Sequence, residues 1–293
     1  MVNKKNILVT GSKGQLGTSI RQIKTNHNFN FFFKEKKDLD ITNYNHLRLF
    51  VSKNSINTII NCAAYTKVDE AEKNKDIADQ INNQAVENIA KICSELSVQL
   101  VHVSTDYVFD GCNNVPYKET CDVNPINFYG MTKSEGEKKI MFYNPKKSVI
   151  IRTSWLYSNK NPNFLNKIIF KLCKEDEIFV VDDEISSPTN CEDLARTIIE
   201  IIPKIANNNT EVYHFSNLGF CSRYEFAKKI NEFLKWDCNI TPTKTKSSKI
   251  MRPSFSALNC SKIINDFHIK INPWQISLKN HLNKTNYNKH EYI

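Results

Sequence analysis

Tyr129 and Lys133 stand four residues apart in Tyr129-Gly130-Met131-Thr132-Lys133, a spacing that puts both on one face of a helix. A free tyrosine has a pKa of ~10, and a nearby ammonium stabilises the phenolate and lowers that value, each unit corresponding to ~1.4 kcal/mol. Such a phenol can deliver a proton to an oxygen that is gaining negative charge, and take it back in the reverse direction. Alone, the pattern is common by chance. Its weight comes from the segment upstream, Val103-Ser104-Thr105-Asp106, where an apolar run ends in hydroxyl residues. Thr105 is placed to hydrogen-bond a carbonyl and share the proton with Tyr129; a one-residue shift of register would give that role to Ser104. Carbonyl reduction also needs a hydride, which no side chain supplies, so a dinucleotide site should accompany the pair.

Three of the chain's seven glycines fall at Gly11-x-x-Gly14-x-x-Gly17, between a β-type run at residues 6–10 and a helical stretch at 18–23. Without Cβ atoms the backbone can approach a pyrophosphate, and the helix start offers free N–H groups and the positive end of its dipole. After the second apolar run, Phe31-Phe32-Phe33, comes Lys34 where an acid would bind a ribose 2′-hydroxyl. Lys34, Lys36 or Lys37 would meet a 2′-phosphate, which favours NADPH over NADH. The third run ends in Asn61-Cys62-Ala63-Ala64-Tyr65-Thr66, small residues that let a cofactor lie on the backbone or simply pack a strand end tightly.

The elements that must position these groups alternate. Apolar runs at 29–33, 58–60, 100–103 and 148–151 are separated by helical patterns, notably at 76–96 and 131–141, which implies an α/β fold with a doubly wound parallel sheet. From Trp155 the rhythm becomes mixed, with helices at 164–173, 191–202 and 223–234 and a strand at 211–215. Residues 1–156 are thus expected to form a Rossmann-type dinucleotide-binding domain, rejoined by the chain around 190–216. Residues 157–293 form a smaller, mixed α/β substrate-binding domain. The stretch 243–249 and the polar tail after Leu282 are expected to be exposed.

With 293 residues, 40% hydrophobic and 24% charged, the chain has the composition of a folded globular protein. No stretch approaches the ~20 apolar residues of a membrane span, and no signal-peptide core follows the N-terminus. The nine cysteines form no CxxC pair and read as reduced thiols of a cytoplasmic protein. The net charge of +9 comes from Lys spread along the chain, so nucleic acid is not an expected partner, although a positive cleft would suit a diphosphate.

The chain resembles the extended short-chain dehydrogenases, and among them the dTDP-4-dehydrorhamnose reductases. The resemblance rests on the glycine spacing, on Ser104-Thr105-Asp106-Tyr107-Val108-Phe109-Asp110-Gly111, on Pro125 to Lys133, and on Arg152-Thr153-Ser154-Trp155-Leu156-Tyr157, Ser187-Pro188-Thr189 and Met251-Arg252-Pro253. Together these cover most of the chain. The resemblance implies NADPH-dependent reduction of the 4-keto group of dTDP-4-dehydro-β-L-rhamnose, with NADH as a possible substitute, by Thr105, Tyr129 and Lys133. It implies a cofactor held by Gly11, Gly14, Gln15, Leu16, Gly17, Asp40, Ile41, Ala63, Ala64, Tyr65, Thr66, Tyr129 and Lys133. It also implies a sugar site formed by Thr105, Asp106 and Trp155, with Arg252 facing phosphate. For Asp40 the alternative is solvent exposure, for Trp155 the core, and for Arg252 the pinning of a surface loop. Some relatives hold a metal at a dimer interface through carboxylates, one of them within the glycine turn. This chain has Gln15 there, so no metal site and a monomer or weak homodimer are expected. Other readings are another nucleotide-sugar reductase, a 4-epimerase, or a non-catalytic relative resembling the regulatory β subunit of methionine adenosyltransferase.

Overall fold

The structure is a computed structural model that describes residues 4–23, 27–160, 162–245, 250–285 and 287. In the first part, β1 (Lys5–Thr10), α1 (Gln15–Gln22), β2 (Phe29–Phe33), α2 (Tyr44–Lys53) and β3 (Thr58–Asn61) are followed by the short helices α3 (Val68–Ala71) and α4 (Lys75–Asp79). A π-helical turn at Gln80–Gln84 leads into α5 (Ala85–Glu95), and β4 (Gln99–Thr105), a 3₁₀ turn at Asp106–Val108, α6 (Phe128–Tyr143) and β5 (Val149–Thr153) complete this part. Then come β6 (Leu156–Tyr157), α7 (Phe164–Lys174), β7 (Glu177–Val181), β8 (Ile185–Ser186), β9 (Thr189–Asn190), α8 (Cys191–Ile201), β10 (Glu211–His214), β11 (Cys221–Ser222), α9 (Arg223–Leu234), β12 (Asn239–Thr243), α10 (Ser261–Phe267) and α11 (Trp274–Thr285).

Six strands form one parallel sheet in the order β10-β5-β4-β3-β1-β2. Its central strands carry apolar runs such as Ile7-Leu8-Val9 and Val149-Ile150-Ile151 because both faces are covered. Ile7 and Val9 of β1 pack with Leu16, Ile20, Leu194, Ile198 and Ile263 on one face, whereas Leu8 packs with Leu47, Val51, Ile89 and Ile92 on the other. Full burial of each such side chain contributes ~1.5–3 kcal/mol. The chain runs outward from β1 to β2 and then returns past β1 to β3, so the order reverses between β1 and β3, where a crevice opens beyond the strand ends.

A second cluster, separate from the sheet, unites Leu165, Ile169 and Leu172 of α7, Ile178 and Val180 of β7, Phe226 and Ile230 of α9, and Trp274 and Leu278 of α11. Its Tyr157, Leu165 and Phe226 line the crevice. The expected strands are present, and strand β10 rejoins the sheet beside β5. Some boundaries differ. Helix α6 begins at Phe128 because Asn127 caps it, its side chain accepting from Gly130 N at 2.8 Å, which brings Tyr129 into the first turn. The helix expected over 76–96 is interrupted by its π turn. Leu282 is buried and α11 continues past it to Thr285, so the tail begins as helix, with Asn283 and Lys284 exposed as expected. Lys244 and Thr245 are exposed; residues 246–249 and most of the tail lie outside the described residues.

Candidate active site

Gly11 follows β1 with φ +61°, and a Cβ there would stand 2.7 Å from Ala63 Cα, so only glycine lets the turn meet the end of β3. Helix α1 then starts with no acidic residue in its first turn, leaving its unpaired N–H groups attractive to an anion. This turn forms one wall of a cavity of ≈ 1170 Å³ that extends from Glu35 and Lys36 to Trp155 and Arg223. Gly14, Gln15, Leu16, Gly17, Asp40, Ile41, Ala63, Ala64 and Thr66 line it as well, as do Thr105, Asp106, Tyr129, Lys133 and Arg252.

Tyr65, expected among the cofactor contacts, is not on that lining. Its phenol donates to Glu70 at 3.3 Å and its backbone N–H to Asn82 Oδ1 at 2.8 Å. Asn82 belongs to the π turn, and its Nδ2 also donates to Tyr65 O and to Thr132 Oγ1, tying the strip after β3 to α6. The 2′-phosphate corner differs from the expected one. Lys34 turns to the ring of Phe50, and an acid does stand at the corner: Glu35 lines the cavity and pairs with Lys13 at 2.9 Å and with Lys37 at 3.2 Å. Lys13 holds its carboxyl below the usual range. Asp40 Oδ1 accepts from Thr42 N–H and Oγ1, so its carboxylate shapes the turn at the adenine end of the expected site.

At the centre, Gly130 lets α6 press against the 3₁₀ turn, since a Cβ would stand 2.1 Å from Tyr107 O. The rings of Tyr107 and Tyr129 meet edge to face at 5.9 Å. Burial pushes the Tyr129 phenol above its ordinary value; the Thr105 hydroxyl beside it opposes this, and Asp106 adds to it. Thr105, not Ser104, is therefore the hydroxyl next to the phenol. The expected lowering by Lys133 is absent, because Lys133 Nζ turns inward to Val103 O at 2.8 Å and His102 Nε2 at 3.2 Å. Burial pulls Lys133 down to about 8 against the opposing pull of Glu137. Glu137 is itself held by Arg152 of β5, at 2.6 Å in a buried pair.

Asp106 is buried, with Thr105 Oγ1 donating to it at 3.1 Å and Ser186 Oγ at 3.1 Å; Ser256 Oγ donates at 2.5 Å. Even so, desolvation pushes its carboxyl up to about 6. Trp155 is half-buried with φ +40°, a strained conformation for a large side chain of the kind that clusters at functional sites. The Arg223 guanidinium lies 3.7 Å over its ring and pairs with Glu184 at 3.4 Å. Arg252 reaches the cavity mouth, where it forms an ion pair with Asp69 of α3. Gln15 Oε1 accepts from Ser158 Oγ at 3.0 Å and Asn163 Nδ2 at 2.8 Å, joining the glycine turn to the second cluster's side of the crevice. Among the described residues no group of three or more His, Cys, Asp and Glu side chains is arranged for a metal.

Sequence reading missed Lys13, Glu35 and Arg223 on this lining, and His102 beneath it. Only Glu35 and Lys13 carried a usable signal, being adjacent to residues already singled out.

A doubly wound sheet with a glycine turn at its switch point, and a helix carrying tyrosine and lysine against the adjacent hydroxyl, define a nicotinamide-dependent oxidoreductase of the short-chain dehydrogenase type. The family described as "RmlD substrate binding domain" matches residues 5–287, and the chain belongs to it. It is 35% identical over 288 residues to a dTDP-4-dehydrorhamnose reductase from Aggregatibacter actinomycetemcomitans, covering 94% of this chain and 97% of the relative. It is 34% identical to a dTDP-4-keto-6-deoxy-D-glucose reductase from Streptomyces niveus, covering 86% and 87% of the two chains. A crystal structure of dTDP-4-dehydrorhamnose reductase from Bacillus anthracis in complex with NADP superposes with a TM-score of 0.90 at 35% identity, covering 96% of this chain and 100% of that one.

Proposed function

We propose that this chain reduces the 4-keto group of dTDP-4-dehydro-β-L-rhamnose with NADPH, yielding dTDP-β-L-rhamnose. One observation carries the reading: the Thr105 hydroxyl, the Tyr129 phenol and the Lys133 amine share one cavity with the glycine turn. The glycine turn fits a dinucleotide, since the Gly11 cradle admits no side chain and the first turn of α1 offers unpaired N–H groups. Gly11, Gly14, Gln15, Leu16, Gly17, Asp40, Ile41, Ala63, Ala64 and Thr66 would hold it, with Tyr65 contributing only backbone. Bound there, the nicotinamide supplies the hydride.

The chain's own groups do the rest. Thr105 donates a hydrogen bond to the ketone oxygen, and Tyr129 Oη gives its proton to that oxygen as it becomes an alkoxide. Lys133, which points inward to Val103 O and His102 in the structure, would turn out toward the cofactor ribose and the phenol and stabilise the phenolate left behind. Trp155 offers an apolar platform to the C–H face of the sugar and keeps water from the reacting carbon. Arg252 exchanges Asp69 for substrate phosphate. We assign residues 1–156, rejoined by β10, to the dinucleotide and most of 157–293 to the sugar. We further read the chain as a cytoplasmic monomer or weak homodimer that needs no metal, a state that size-exclusion chromatography with and without magnesium reads directly.

The likeness to the Streptomyces niveus enzyme favours a second reading, reduction of the ketosugar before epimerisation. Incubation with dTDP-glucose, a 4,6-dehydratase and NADPH, with and without the epimerase, decides between them. A rhamnose product formed only with the epimerase is expected. A 6-deoxyhexose formed equally without it supports the second reading, and NADPH left unconsumed overturns both.

A further inference from the structure

Beneath the active site, a buried chain of polar groups runs through three strands. Asn61 Oδ1, at the end of β3, accepts from Thr10 Oγ1 of β1 at 2.6 Å and from Ala63 N–H at 3.2 Å. The Ala63 N–H is a donor that cannot change its role, so it fixes which end of the amide is oxygen. The other end, Nδ2, therefore faces His102 Nδ1 of β4 at 3.0 Å and donates to it. An imidazole that accepts at Nδ1 and is neutral carries its single proton on Nε2. Burial keeps this ring neutral, holding His102 well below its ordinary value. His102 Nε2–H then points at Lys133 Nζ, 3.2 Å away. Two N–H groups cannot bond each other, so this contact is made by the neutral amine, which presents a lone pair there while it donates to Val103 O.

We propose that His102 is a positioning residue which, locked by Asn61 as the Nε2–H tautomer, favours the neutral amine of Lys133 over its ammonium in the resting site. Engaging the dinucleotide then draws a proton onto Lys133 as it swings out of the sheet. This rests on the dinucleotide reading of the cavity. The other charged and titratable groups facing Lys133 are consistent with it. Glu137, one turn along α6, favours the ammonium but is bound to Arg152 of β5. Cys62, just beyond β3, is pushed up to about 12 by burial and stays a thiol. The Tyr129 phenol is pushed up and stays neutral. Asp106, beyond β4, is turned to Ser186 and Ser256. Lys133 itself is pulled down to about 8 by burial, so below that pH the resting amine already carries the proton, and above it engagement must import one. Above that pH the phenolate-stabilising charge is thereby assembled only when the cofactor is in place.

The first test uses the protein alone. Long-range ¹H–¹⁵N spectra report the tautomer of His102, and a protonated Nδ1 overturns the proposal while an unprotonated Nδ1 with a protonated Nε2 supports it. The second is calorimetric titration with NADPH in buffers of different ionisation enthalpy. Proton uptake of about 0.1 per site at pH 7 and about 0.9 at pH 9 is expected, with affinity falling up to about tenfold per pH unit above 8. In His102→Gln the side-chain oxygen accepts from an ammonium, so uptake at pH 9 should fall toward zero; in Lys133→Met it should vanish. Uptake that is absent from the wild type, or unchanged in folded His102→Gln, overturns the proposal. NADPH failing to bind at any pH sinks the dinucleotide reading and the proposal with it, whereas binding with a flat proton count sinks the proposal alone.

Discussion

Replacing Asp106 by Asn should make the protein more stable at neutral pH. The carboxyl is buried, and desolvation raises it from an ordinary 3.8 to about 6 even though Ser256, Thr105 and Ser186 all donate to it. That shift of about two units corresponds to roughly 3 kcal/mol. The sign follows from proton binding: between the unfolded and folded values the native state holds more protons, so this group's penalty is full above about pH 6 and fades as pH falls toward 4. The amide of Asp106→Asn would carry no charge at any pH. The Ser186 and Ser256 hydroxyls can rotate to accept from it, so the network survives. At roughly 2 °C per kcal/mol for a chain of this size, the melting temperature at pH 7.5 should rise by about 5 °C. Calorimetric scans of both proteins from pH 7.5 to 4.5 check this, and the gap should close as the wild-type carboxyl takes up its proton. A variant less stable than wild type at pH 7.5, or a gap that does not change with pH, refutes the argument.

Tyr129→Phe should bind NADPH normally yet lose about 10²–10⁴ in kcat, because the ring still packs against Tyr107 while the transferable proton is gone; near-normal turnover removes Tyr129 from the acid role. Glu35→Gln should raise the preference for NADPH over NADH several-fold by releasing Lys13 and Lys37 to a 2′-phosphate, and an unchanged ratio of kcat/KM values would show that this corner does not read the phosphate. Trp155→Ala should raise KM for the ketosugar and lower kcat with little change in melting temperature, since the ring is half-buried under Arg223; a loss of ~3–5 kcal/mol of stability with normal kinetics would return Trp155 to the core.

Much of the frame was legible because its signals are local. Ile7-Leu8-Val9 is buried on both faces and stops at a glycine that must turn, and such a run reads the same before and after folding. Helix α2 escaped notice because only Leu47 and Val51 of its ten residues are buried, too few to mark a stripe. Strand β7 alternates exposed and buried residues over five positions only and pairs with β12, more than fifty residues on. Within the site, Tyr129, Lys133 and Thr105 announced themselves by type and spacing, but their electrostatics did not. Lys133 points away from the phenol because His102 and Val103 O, thirty residues earlier in the chain, offer it partners. Asp106 owes its hydrogen bonds to Ser186 and Ser256, 80 and 150 residues downstream. Spacing predicts which side chains share a face, and only tertiary contacts decide where their charged ends turn.

The π turn at Gln80–Gln84 has a consequence for length variation. A π turn holds one residue more than the α-helical turn it replaces, so deleting one residue there would restore an uninterrupted helix with Ala78 before it and Val86 and Ile89 after it still facing their old neighbours. Asn82 would no longer bulge toward Tyr65 and Thr132. Gain or loss of one residue in this turn thus leaves packing almost untouched while making or breaking the clamp between the β3 strip and the helix that carries Tyr129. Among homologues, an indel confined to this turn would mark a change in how the catalytic helix is held, in a chain whose fold is otherwise the same.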